Sequence, residues 1–154
     1  MSRNSAGYDE DFYAWTVEQA RLLRSGELSS IDVENTAEEI ESLGRSDNRT
    51  IESRLTVLLT HLLKWQVQGK MRSGSWSDTM LEQRRLIGKL LRESPSLRPF
   101  VNEALTEAYD EAREAASNET GLPETDFPAG CPFSAGEVLS RSFLPERPAD
   151  KQAG

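Results

Sequence analysis

The chain has 154 residues, 36% of them hydrophobic and 29% charged, with a formal net charge of −8 at neutral pH. That length suits one helical core of ordinary size, and the acidic balance argues against general affinity for nucleic acid. One cysteine (Cys131) and one histidine (His61) exclude an intrachain disulfide and a Cys/His zinc site within a single chain, and the want of a disulfide fits a reducing cytoplasm.

The first residues, MSRNSAGYDED, are polar and then acidic, unlike a signal peptide, and no apolar run approaches the length of a membrane span. Asp9 and Asp11 open a first helix with Phe12, Trp15, Leu22 and Leu23 on its apolar face. Gly26 ends it, after Arg21 and Arg24 in its last turn. Ser29 with Asp32 resembles a capping box for the second helix.

That helix carries the longest pattern in the chain: Val33, Ala37, Ile40, Gly44, Asp47, Ile51, Leu55, Leu58, Leu62 and Trp65 recur at three- and four-residue steps without a slip of phase. The unbroken phase predicts one continuous helix of roughly 35 residues, about 50 Å long at 1.5 Å per residue. Gly44 and Asp47 are out of character for a buried stripe, so the alternatives are a bend near Gly44–Asn48 or a stripe that meets water there.

Gly69–Gly74 reads as a loop, and Ser75 with Asp78 as the start of a third helix bearing Trp76, Met80, Ile87, Leu90 and Leu91. Ser94-Pro95-Ser96 ends it and leads into a fourth, with Leu97, Val101, Ala104, Leu105, Ala108, Ala112 and Ala115 on its packed face. Leu122–Phe133, with three prolines, is expected as a strap anchored by Phe127 and Phe133; Ser134 with Glu137 caps a short helix through Ser142. The fold class is therefore all-α: four main helices with a long second helix, a C-terminal strap and a short fifth helix. Residues 8–145 form a single domain in this reading, with disordered termini at 1–7 and 146–154. Leu58, Leu62, Ile87, Leu90, Leu105 and Ala108 are the expected core.

Charge is unevenly spread. Residues 27–41 hold six acids and no Lys or Arg, residues 64–98 hold eight bases against three acids, and residues 101–126 hold eight acids against Arg113. Surface charge of this kind mostly solvates or pairs weakly. Trp76, Arg72, Arg84 and Arg85 cluster in the basic segment, and tryptophan with arginine is the composition of interface hot spots, so they are the candidate interaction surface. The alternative is that Trp65 and Trp76 plug the core while the arginines are solvated.

A weaker polar candidate is His61 with Glu38 and Glu41. Glu34, Glu38 and Glu41 share a helix face, as carboxylate ligands do; so do ordinary solvated acids, and on a straight helix His61 stands roughly 35 Å from Glu38. No metal site and no cofactor is expected. His61 reads as a structural, hydrogen-bonded residue at the edge of the stripe, with a general base as the alternative. Cys131 reads as a packed thiol.

The succession YDEDFYAW (Tyr8–Trp15), LLRSG (Leu22–Gly26), AEEIESLGRS (Ala37–Ser46), RLTVLLTHLLKWQ (Arg54–Gln66), SPSL (Ser94–Leu97), AYDEAREAA (Ala108–Ala116), ETGLP (Glu119–Pro123) and FPAGCPF (Phe127–Phe133) resembles the bacterial family named domain of unknown function 29. The resemblance implies a small, α-helical, bacterial protein and carries over no catalytic residue. The expectation for function is a non-catalytic module that binds a protein partner or a second copy of itself in the cytoplasm; the alternative is an enzyme or nucleic-acid-processing factor with an unrecognised site.

Overall fold

The structure, a computed structural model, describes residues 7–146. The expectation for the termini concerns residues outside these, apart from Gly7 and Glu146. Among the described residues there is no strand, and the all-α expectation is met by four main helices, α1 (Phe12–Ser25), α2 (Val33–Val67), α3 (Gly74–Glu93) and α4 (Arg98–Thr120), with a short α5 (Ala135–Leu139). The chain divides into two compact units, one ending at Ser46 and the other beginning at Asp47. α2 is one continuous helix across that division, so Gly44 and Asp47 do not break it.

In the first unit, the Asp11 side chain caps α1 by accepting from the Ala14 amide at 3.0 Å. Gly26 closes the helix at φ 78°, the left-handed geometry that a side chain would strain, and its amide bonds back to the last turn. The cap of α2 is Asp32. Ser29 lies instead in a 3-10 turn, Leu28–Ser30. Asp32 accepts from the Asn35 side chain at 2.8 Å, the Trp15 indole at 3.0 Å and, more weakly, the Asn35 amide at 3.4 Å. Its own amide donates to Gln19 Oε1 at 2.8 Å. One carboxylate thus both starts α2 and latches α1 to it, and these bonds, that from Asn35 foremost, hold it below the usual aspartate range.

Trp15 stacks on Phe12 (centroids 5.7 Å apart) and meets the edge of Tyr8, whose hydroxyl donates to Glu39. Among the described residues of this unit, only Trp15, Gln19 and Leu22 are buried. Phe12 and Leu23, expected inside, are about half exposed.

The second unit holds the main core. α2 contributes Ile51, Leu55, Leu58, Leu59, Leu62 and Leu63; α3 contributes Met80, Ile87 and Leu91; α4 contributes Val101, Ala104, Ala108, Tyr109, Ala112 and Ala116. Alanines on α4 leave room for close helix approach, and each fully buried leucine stabilises the unit by about 1.5–3 kcal/mol. Leu90 and Leu105 are half-buried at the core's edge, not inside it. The α4 stripe closes on Ala116, not Ala115. Tyr109 is buried among these residues and its hydroxyl donates to the Pro128 carbonyl at 2.5 Å. The strap behaves as expected, with Phe127 and Phe133 both buried.

α3 begins one residue after Ser73, whose hydroxyl accepts from the Trp76 amide, a start slightly earlier than Ser75. The capping box of Ser134 and Glu137 is present, although α5 ends at Leu139 and not at Ser142. Five residues cannot hold a helix by themselves. Val138 buries its side chain completely, and α3 supplies a further restraint described next.

Candidate interaction surface

The four residues assigned from sequence to one surface have three different fates. Arg84 is buried, only 4% exposed, and so does not present its guanidinium to a partner. Its Nε donates to the Val138 carbonyl at 2.8 Å and its Nη2 to the Glu137 carbonyl at 3.4 Å. Those carbonyls lie in the last turn of α5, where a cation is favoured; that of Glu137 also accepts from the Ser140 amide. Arg84 is therefore a structural cap delivered from α3 to α5. The signal for this was in its phase: Met80, Arg84, Ile87 and Leu91 recur on one helical face, and only its charge argued for the surface. Burial pushes its pKa below the ordinary guanidinium value.

Arg72 is half-buried and folds back on the end of α2. Its Nε donates to the Trp65 carbonyl at 2.7 Å, and its guanidinium lies 5.0 Å from the Trp65 ring centroid. Trp76 is also half-buried, beneath Lys64, whose Nζ stands 4.7 Å from the ring and 3.4 Å from Glu119 Oε1. These two cation–aromatic contacts close this end of the second unit, each contributing about 0.5–2 kcal/mol. Of the four, Arg85 alone is exposed. It forms a forked pair with Glu82 one turn earlier, at 3.1 and 2.8 Å, which raises the arginine's pKa and lowers that of the glutamate.

The polar candidates are separate features. His61 Nδ1 lies 2.9 Å from the Val57 carbonyl, and since a carbonyl only accepts, Nδ1 carries the proton. Glu38 and Glu41 are exposed, and Glu38 pairs with Arg45 on the next turns of α2. Among the described residues, no group of three or more His, Cys, Asp or Glu side chains could hold a metal ion. Cys131 is half-buried, its thiol donating to the Phe133 carbonyl at 3.4 Å; burial pushes its pKa up, away from thiolate reactivity.

The feature that sequence reasoning passed over is on the first unit. Val33 and Ile40 are each 63% exposed and Leu43 71%, with Ala37 and Gly44 also open. The α2 stripe is thus bare from Val33 to Gly44, although the same phase is buried from Ile51 onward. α1 adds exposed Tyr13 and Val17, and the turn after it exposed Leu28. Glu34, Glu38 and Glu41 lie to one side of the bare stripe, and no Lys or Arg occurs from Glu27 to Gly44. A contiguous apolar strip with a charged rim is the form of a docking face.

Among the described residues, no helix is long and apolar enough to cross a membrane. No curated protein and no solved structure matches this chain. A family model does, over residues 8–144, and its description is Domain of unknown function DUF29. That span takes in both units, the Asp32 latch, the bare stripe and the Arg84 cap, and the chain therefore belongs to the DUF29 family.

Proposed function

We propose that this chain works as a non-catalytic helical interaction module of the bacterial cytoplasm, using the open face of α2 in the first unit. The observation that carries the reading is the bare stripe Val33, Ala37, Ile40 and Gly44, with Leu43 beside it, in a unit whose described residues bury only Trp15 and Leu22 among their large apolar side chains. Covering one such side chain is worth about 1.5–3 kcal/mol, so a partner laid along the face gains from each position it dries. The acidic rim selects that partner: an amphipathic helix with Lys or Arg beside its apolar stripe. The single cysteine, with no possible intrachain disulfide, fits a reducing compartment.

The test is titration of a labelled synthetic amphipathic helix of leucine and lysine, read by fluorescence anisotropy. Wild type binds, and the neutral double substitution Val33→Asn/Ile40→Asn weakens binding at least about tenfold, because it removes apolar contact and no charge. Equal affinity for the two proteins would mean that charge alone draws the peptide, and the face would not be a docking surface.

A further inference from the structure

Glycine in the interior of a helix calls for a reason. Gly26 and Gly121 take the positive φ of a helix end. Gly44 lies inside α2 and does not. Nor does it make room for a neighbour, since nothing lies within 4 Å of the place a Cβ would occupy. Within this chain neither backbone geometry nor close approach requires it, and what it does is weaken the helix where it stands.

The turn around it is bare. Leu43, Gly44, Arg45 and Ser46 follow one another about 100° apart around the axis, so between them they face every side, and all four are exposed. From Val33 to Thr50 α2 buries no residue, and burial begins at Ile51. The division between the two compact units falls at the end of this turn, between Ser46 and Asp47. Arg45 bridges the turn by reaching back to Glu38, but both side chains are about half exposed, and such a pair adds little. A turn with water around its backbone bonds and no apolar cover belongs to the least stable part of a protein. We propose that Leu43–Ser46 is a joint in α2, a turn that opens locally while the helix on either side stays folded. Resting on the reading of the bare stripe as a docking face, a partner helix laid along Val33–Gly44 closes it.

The bare stripe ends inside the joint, because Gly44 belongs to both. A partner that dries Ile40, Leu43 and Gly44 also shields the backbone bonds of that turn from water. Part of its binding free energy then goes into holding the turn closed. Whatever closes the turn beforehand removes that cost and raises affinity. The strength of docking is thereby set by helix stability at Gly44 as well as by the contacts along the stripe.

Amide hydrogen exchange of the full chain, followed residue by residue by NMR, is the test. The amides of Gly44–Asn48 donate the bonds that close over the turn. Corrected for intrinsic rates, they should be less protected than those of Ala37–Ile40 before them and Ile51–Leu55 after them. Gly44→Ala meets no neighbour and should raise their protection about fivefold, the equivalent of the roughly 1 kcal/mol by which alanine favours a helix over glycine. Arg45→Gln removes the bridge to Glu38 and should lower their protection. Neither variant should alter exchange at Leu58–Leu62. The leucine-lysine helix should protect the same amides, and Gly44→Ala should bind it more tightly than wild type, by up to about fivefold. Protection at Gly44–Asn48 equal to that at Ala37–Ile40, or a Gly44→Ala variant without effect there, would overturn the joint. Saturating leucine-lysine helix that leaves those amides unchanged would overturn its closure by a partner. Failure of the docking reading looks different: Val33→Asn/Ile40→Asn would leave peptide binding intact while Gly44–Asn48 stayed the least protected stretch, and the joint would stand without a partner to close it.

Discussion

Replacing Arg84 by methionine isolates what the buried guanidinium does. Methionine keeps an unbranched apolar stem among the core residues and removes the charged guanidinium with its donors. The Glu137 carbonyl retains the Ser140 amide at 3.2 Å, whereas the Val138 carbonyl loses its short bond from Arg84 Nε at 2.8 Å. A hydrogen bond from a charged donor contributes about 1.5–3 kcal/mol. Part of that is returned, because the variant no longer desolvates a cation. The expected net loss is about 1–2 kcal/mol, a fall in melting temperature of roughly 2–8 °C for a chain of this size. Urea unfolding should show a lower midpoint with an unchanged slope, and amides of Ala135–Leu139 should exchange faster. Arg84→Lys should fall between the two, since an ammonium supplies a donor without the planar fork. Binding of the leucine-lysine helix should be unaffected. A loss below about 0.5 kcal/mol with unchanged exchange in α5 would refute the assignment of Arg84 as its cap.

Leu62 is wholly buried, so Leu62→Ala should cost about 2–5 kcal/mol, while Leu105→Ala, at the half-buried edge, should cost clearly less; equal losses in denaturant melts would mean that the core is drawn in the wrong place. Asp32→Ala removes the α2 cap and the acceptor of the Trp15 indole together, and should cost about 1–2 kcal/mol, with the indole N–H resonance of Trp15 shifting toward its exposed position. Because the folded Asp32 pKa lies below its ordinary value, its contribution is complete above about pH 4 and is lost as pH falls through the folded pKa. An acid titration of wild type and Asp32→Asn that gives superimposable curves would contradict that latch.

The helices themselves were legible in the sequence because their signals are local. Asp11, Gly26, Ser134 and Glu137 punctuate the chain through bonds to backbone a few residues away, and such bonds form wherever the chain goes. The unbroken phase from Val33 to Trp65 likewise determined that α2 is continuous, despite Gly44 and Asp47. Phase fixes only the direction in which a side chain points from its own helix axis. What lies in that direction is decided by other segments. Hence Ile40 and Leu58 share a stripe, yet one is open and the other sealed. Hence also Arg84, read from its charge as a surface residue, is buried because α5 arrives across α3 with carbonyls that need a donor. Tyr109, in step with Leu105, Ala112 and Ala116, enters the core because the strap brings the Pro128 carbonyl to its hydroxyl. Local hydrogen bonding and periodicity made the elements; which faces are dry, and which charges are satisfied inside, depended on contacts between residues far apart in the chain.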